Sequence, residues 1–264
     1  MSDNMGLTIK YDFAFGHSDG GANFGATIDD LITKSNSNAP SVKAQIQNYT
    51  SSGYYDKGTC DQSLHFVWGG NNDVIPWEKA PAYHPCPETG VDSPENQQFC
   101  TDLANAITTQ VKTLADAGAE HIFVPNVYNR HVAPVVQRYF SNDTKWVDTY
   151  GQIIQQVNSN LKTNIDNLAK TTGKKIIYYD AFTFLMNTYT AAEQSGANGI
   201  NMMKPGQNIC DGSFIDPVPG VKSLVYCNQG HGSQYYWMQY LDMTAHVAGL
   251  LAQDMQKALE AAYA

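Results

Sequence analysis

Three short apolar runs, separated by long amphipathic segments, constrain the fold of this 264-residue chain more than any other feature. The runs cover residues 63–68, 121–127 and 175–180. Apolar runs of this length, bounded by glycine or polar residues, predict strands that are buried on both faces of a parallel sheet. Strands that alternate with helices predict that the helices cover both faces of the sheet. We therefore predict a three-layer α/β/α fold that forms one domain over residues 1–264.

The amphipathic segments predict the helices of this fold, because their apolar residues recur at helical spacing. The second of them has recognisable ends: Ser93 is placed to cap it, Pro94 suits its first turn and Gly118 is typical of a helix C-terminus. We also predict a strand over residues 7–15 and an inserted, proline-containing loop over residues 74–93. The helices are predicted over residues 41–49, 94–117, 146–170 and 236–261.

The charge and hydropathy of the chain exclude two kinds of partner. Acidic residues number 25 and basic residues 16, so the net charge is -9. A nucleic acid or an anionic membrane would need a basic surface. No stretch approaches the ~18 consecutive apolar residues of a membrane-spanning helix, and the first residues lack the basic and apolar regions of a signal peptide. We therefore expect no nucleic-acid partner and no membrane span.

The five cysteines are compatible with two disulfides or with buried thiols. Cys86 and Cys100 lie in or beside one loop that contains proline or glycine, and Cys210 and Cys227 lie in or beside another. Both loops are short enough to close easily, and each disulfide would stabilise the fold by about 3 kcal/mol. We predict both disulfides, with Cys60 left as a free thiol.

Two glycine-rich segments follow predicted strands and are the candidate ligand-binding loops. Residues 16–21 follow the strand at 7–15, and residues 69–73 follow the strand at 63–68. In open α/β sheets, ligands bind beyond the carboxyl ends of the strands. An asparagine in such a loop, here Asn72, can direct its amide towards a ligand and stabilise a developing oxyanion. Each loop taken alone is also compatible with a tight turn.

Three segments resemble, in this order, blocks of the GDSL (SGNH) esterases, and in particular of fungal secreted members. Residues 11–16 resemble the second block, residues 61–73 resemble the third block (Gly-x-Asn-Asp), and residues 236–252 resemble the last block. The resemblance implies a flavodoxin-like SGNH hydrolase fold, secretion, and hydrolysis of acetyl or acyl esters through a serine acyl-enzyme without a cofactor. It also implies an oxyanion hole formed by the Asn72 side chain and the Gly16 backbone.

The sequence departs from that family at the residues that would carry out catalysis. The Gly-Asp-Ser block, which supplies the nucleophile and precedes the second block, has no counterpart here. His17 occupies the place of a family glycine, the Asp and His expected after Trp237 are absent, and His246 matches a second, non-catalytic histidine. Within the predicted last helix, Asp242 and His246 share a face, so they could form a rebuilt triad with Ser18, or only an ion pair. We therefore expect an inactive or divergent hydrolase.

Two other functions are compatible with the sequence. The chain could be a non-catalytic module that binds a glycan or another small molecule, with the aromatic segment 235–240 stacking on a sugar or packing in the core. Alternatively, His17 and Asn72 could serve a reaction without an acyl-enzyme. The histidines show no metal-ligand spacing, so no metal site is predicted. Loss of the first block would remove a central strand and expose sheet edges, which favours a homodimer.

Overall fold

Within the described residues, the central sheet consists of three parallel strands in the order β1-β2-β3. They are β1 (Leu64–Phe66), β2 (His121–Pro125) and β3 (Lys175–Tyr179). In register, Leu64 lies opposite His121, which in turn lies opposite Lys175. The computed structural model describes residues 26–30, 39–51, 63–75, 85–140, 142–195, 236–237 and 241–264. The predicted parallel pairing is confirmed, and the strand predicted over residues 7–15 lies outside the described residues.

Six helices accompany the sheet within the described residues. The four predicted helices are all present, and the structure adds two that the sequence pattern did not indicate, α3 and α5. Short 3₁₀ turns also occur at Pro87–Thr89, inside the predicted loop, and at Arg130–Val132. The helices are α1 (Val42–Ser51), α2 (Pro94–Ala117), α3 (Pro134–Phe140), α4 (Thr144–Thr172), α5 (Ala181–Ser195) and α6 (Ala245–Tyr263).

The ends of the two longest helices follow from local capping. The Ser93 hydroxyl accepts a hydrogen bond from a backbone N–H in the first turn of α2, and Gly118 ends that helix with φ of 120°. Asp143 caps α4 in the same way, and Gly173 ends it in the left-handed region with φ of 68°. Such caps satisfy backbone groups that have no partner within the helix. The predicted bounds of α2 are therefore confirmed.

The core lies between the sheet and the helices that pack against it. The central strand β2 is buried on both sides, since Ile122, Phe123 and Val124 expose 0% of their surface. Successive residues of a strand point to opposite faces, so this burial requires cover over both faces of the sheet. α2 packs against α4, α4 packs against β3, and α6 also contacts β3. This is the three-layer α/β/α arrangement that the sequence predicts.

The last helix begins later than predicted. α6 starts at Ala245, and the Thr244 hydroxyl caps it by accepting a hydrogen bond from the Val247 N–H at 3.3 Å. Before the cap, Trp237 and Met243 pair in an isolated antiparallel bridge. The prediction of a helix from residue 236 is therefore wrong, because the buried Trp237 pairs with Met243 instead of lying in a helical turn.

The predicted disulfide between Cys86 and Cys100 is also wrong, since both are free thiols. The Cys100 thiol is buried on α2 and lies 3.6 Å from the Ile153 carbonyl oxygen on α4. The backbone of Cys86 is held instead by the Asn96 side chain, which bonds its N–H at 2.9 Å and its carbonyl at 2.8 Å. Burial raises the pKa of the Cys100 thiol to about 12. The predictions for Cys60, Cys210 and Cys227 concern residues outside the described part of the chain.

Candidate functional site

A tight turn follows β1 and begins at a glycine that no other residue could replace without strain. Gly70 has φ of +93°. A Cβ atom at this position would lie 3.0 Å from Ile107 and 3.1 Å from Val127. Both the left-handed backbone and the close packing therefore require glycine. The turn brings residues 71–73 against the carboxyl end of the sheet, the place where ligands bind in this class of fold.

Two side chains of the turn fix its conformation. The Asn71 amide oxygen accepts a hydrogen bond from the Tyr128 N–H at 3.1 Å, which ties the turn to the segment after β2. The fully buried Asp73 carboxylate accepts from the Ile28 N–H, with both oxygens at 3.1 Å. Because these anchors stand on either side of Asn72, the backbone of that residue is held in place.

The Asn72 side chain is oriented by two hydrogen bonds. Its Nδ2 donates to the Ala26 carbonyl oxygen at 2.8 Å, and its Oδ1 accepts from Arg130 Nη2 at 3.4 Å. The amide carries two hydrogens, so one remains to donate to a ligand oxygen. This geometry suits the oxyanion role predicted for Asn72, which stays a prediction. Its predicted backbone partner, Gly16, lies outside the described residues.

The segment after β2 supplies the residues that face Asn72. Asn158 on α4 holds its first part, because the Asn158 amide accepts from the Val127 N–H at 3.0 Å and donates to the Val127 carbonyl at 2.8 Å. Further along, the Tyr128 hydroxyl donates to the Leu241 carbonyl at 3.1 Å. Three separate parts of the chain therefore meet at the carboxyl ends of β1 and β2.

A buried arginine lies at the centre of this meeting point, and the sequence patterns gave no indication of it. Arg130 is only 5% exposed, and its guanidinium carbon lies 4.9 Å from the centroid of the Tyr128 ring. Its Nε and Nη1 are buried without a hydrogen-bond partner in the described part of the chain, as is the Tyr150 hydroxyl. We call Asn72, Tyr128, Arg130, Tyr150 and Asp242 the Arg130 cluster.

Burial dominates the electrostatics of the cluster. It raises the pKa of the Tyr150 hydroxyl, and the positive charge of Arg130 opposes that shift only in part. Burial likewise raises the pKa of Asp242, again against the attraction of Arg130. No carboxylate of the described residues forms an ion pair with Arg130. The guanidinium therefore lies in a poorly hydrated place where its charge is incompletely matched.

The structure places two of the predicted catalytic residues, Asp242 and His246, on different elements. Asp242 precedes the N-cap of α6, whereas His246 is the second residue of that helix. The argument that the two lie on one face of a shared helix is therefore wrong. Asp242 instead lies near Arg130. His17 and Ser18 lie outside the described residues, so a triad that includes them stays a prediction.

The described residues contain neither a metal-type cluster nor a membrane-spanning helix. No group of three His, Cys, Asp or Glu side chains among them could hold a metal ion. None of their helices is both long and apolar enough to cross a bilayer. The polar groups around Asn72 are the amide of Asn71, the hydroxyls of Tyr128 and Tyr150, the guanidinium of Arg130 and the carboxyl groups of Asp73 and Asp242.

A comparison with protein-family models identifies the family of this chain. The sequence model of the GDSL-like Lipase/Acylhydrolase family matches residues 1–216. The comparison with curated proteins gave no match. The matched region includes all three strands of the sheet and both loops that build the site at Asn72. The chain therefore belongs to the GDSL-like lipase/acylhydrolase family.

Proposed function

We propose that the protein is a divergent hydrolase of carboxylic esters and that the Asn72 amide stabilises the oxyanion of the reaction. The observation that carries this proposal is the fixed amide of Asn72 at the carboxyl end of β1. Membership of the acylhydrolase family supports the same chemistry. By resemblance, the substrates are acetyl groups on carbohydrates or acyl chains on lipids outside the cell.

The chemistry requires a donor that is already aligned when charge develops on the substrate. A nucleophile attacks the ester carbonyl carbon, and the carbonyl oxygen becomes negatively charged. A preorganised N–H that bonds this oxygen accelerates the reaction by about 10²–10³-fold. The bonds to Ala26 and Arg130 prevent the Asn72 amide from rotating, so little reorganisation is needed. Ser18, with His246 as base, stays our candidate for the nucleophile.

Hydrolysis of p-nitrophenyl acetate by Asn72→Ala tests the proposal. We expect kcat to fall by about 10²–10³-fold, since a single oxyanion donor is removed. Asn105→Ala is the matched control, because Asn105 lies on α2 and makes an exposed hydrogen bond to Asn164 at 2.9 Å. It should leave kcat unchanged. Equal rates for the two variants, with both folded, would refute the role of Asn72.

A non-catalytic ester-binding module is the second candidate. It is favoured by the place of Asp242, which is not on α6 and so does not form the helical pair with His246 that a rebuilt triad would use. Stacking of a sugar on Tyr236 or Trp237 is disfavoured, because these side chains expose only 1% and 0% of their surface and pack in the core. Saturable binding of an acetylated sugar without release of acetate would favour this module over the hydrolase.

A further inference from the structure

We propose that Arg130 forms a carboxylate-binding subsite beside Asn72, which receives the acid group released from the ester. The inference rests on the proposed hydrolysis for the source of the carboxylate. Its own basis is the Arg130 cluster, where a buried guanidinium lacks a matching anion among the described residues. It assigns a role to a residue that neither the family resemblance nor the sequence pattern singled out.

The contacts of Arg130 leave most of its hydrogen-bonding capacity unused. A guanidinium carries five N–H groups in a planar fork. Within the described residues, Nη2 donates to the Asn72 amide oxygen at 3.4 Å, which is a long bond, and the guanidinium also interacts with the Tyr128 hydroxyl. Nε and Nη1 have no hydrogen-bond partner within the described residues, although both are shielded from water. Because Nη1 has no partner and Nη2 has one long bond, the Nη1–Nη2 edge suits a ligand with two acceptor oxygens, which must enter from the Asn72 side since Nη1 itself is shielded from water.

The surroundings favour an anion as that ligand. A buried charge without a partner is destabilising by several kcal/mol, and a bidentate carboxylate is the group that best matches the guanidinium fork. The face of the Tyr128 ring at 4.9 Å offers only a weak cation–π contact. Asp242 interacts electrostatically with Arg130, yet among the described residues its carboxyl group forms no ion pair with the guanidinium.

The position of Arg130 relates this subsite to the reaction. In ester hydrolysis, the oxygen of water forms the new C–O bond, the bond to the alcohol oxygen breaks, the alcohol oxygen takes up one proton, and the acid product loses its proton to solvent at neutral pH. The resulting carboxylate has one oxygen where the oxyanion formed. Because Asn72 contacts Arg130 directly and is partly exposed, a carboxylate can reach both from the side of Asn72.

A carboxylate could also be part of the substrate, as in the ester of an acidic sugar, and the two sources can be distinguished. The chain has only two arginines, Arg130 and Arg138, so its NMR spectrum should contain two Nε–Hε signals. The full-length ¹⁵N-labelled protein is titrated with sodium acetate, sodium butyrate and sodium glucuronate, against sodium chloride at equal ionic strength. The variant Arg138→Lys assigns the Arg130 signal.

We expect a saturable shift of the Arg130 signal with the carboxylates and none with chloride. Response to acetate and butyrate alone indicates the product acid, whereas response to glucuronate alone indicates a carboxylate of the substrate. Acetate should bind at least about tenfold more weakly to Arg130→Gln, and with unchanged affinity to Arg138→Gln, since charge-assisted hydrogen bonds are lost only in the former. Affinities of the variants are measured by calorimetry.

The absence of a saturable Arg130 shift with any of the three carboxylates would overturn the subsite. If Arg130→Gln does not fold, the titration of the wild-type protein still decides the question. The result is also independent of the proposed hydrolysis. Turnover of p-nitrophenyl acetate without an Arg130 shift refutes only the subsite, and an Arg130 shift without turnover refutes only the hydrolase.

Discussion

Replacing Asn158 by alanine tests how the segment that carries Arg130 is held in place. The substitution removes both partners of the fully buried Val127 backbone. The change leaves two buried backbone groups unpaired, and each costs about 1–3 kcal/mol unless water reaches it, so the two together cost about 2–6 kcal/mol. Alanine offsets about 0.6 kcal/mol of this through its higher helix propensity. We therefore expect the free energy of unfolding to fall by about 3 kcal/mol.

Urea unfolding followed by circular dichroism measures this loss. Asn167→Ala is the matched control, because Asn167 lies on the same helix with an exposed side chain, so it reports only the change in helix propensity. Asn158→Ala should unfold at a clearly lower urea concentration than Asn167→Ala. A difference of less than about 1 kcal/mol between the variants would refute the claim that Asn158 anchors the segment.

Three further predictions concern pH, packing and thiols. Burial lowers the pKa of His131 from 6.5 to about 4. The free energy of unfolding should therefore be highest above pH 6.5 and fall by up to about 3 kcal/mol as the pH falls towards 4. Urea titrations of His131→Gln should show a smaller fall. Gly70→Ala should lower the free energy of unfolding by about 2 kcal/mol, because its backbone is left-handed and its surroundings are tight. Gly249→Ala should raise it by about 1 kcal/mol, because Gly249 lies on α6 with open space around it. Thermal midpoints equal to that of the wild-type protein would contradict both predictions. Without reductant, iodoacetamide should modify Cys86 in the native protein and Cys100 after unfolding, and a peptide that links the two cysteines in mass spectrometry would argue against free thiols.

The elements with local signals could be predicted from the sequence. The bounds of α2 are as predicted because Ser93 and Gly118 carry the capping chemistry themselves. Of the four predicted strands, the three within the described residues were located correctly, but the run at 63–68 yields only Leu64–Phe66, because pairing depends on the neighbouring strand and not on the apolar run alone. The family was also identified from short segments of sequence, and the match over residues 1–216 confirms it.

The elements that depend on tertiary contacts could not be predicted. Apolar spacing before Thr244 is compatible with a helix, yet the buried Trp237 forms an antiparallel bridge with Met243. Arg130 escaped notice because an arginine after a strand is usually solvated, and only the packed structure shows that it is buried. The sequence nevertheless carries a signal, because Arg130 is one of only two arginines and follows the carboxyl end of a predicted strand.

Labelling with a fluorophosphonate probe tests most directly whether the site at Asn72 serves acyl transfer. The reagent reacts with an activated nucleophile, and its phosphonyl oxygen takes the place of the oxyanion. Intact-mass spectrometry should show one adduct per chain, on a serine, that forms about a hundredfold more slowly in Asn72→Ala but normally in Asn105→Ala. The absence of an adduct in the folded wild-type protein, or equal labelling rates in the two variants, would contradict the proposed function.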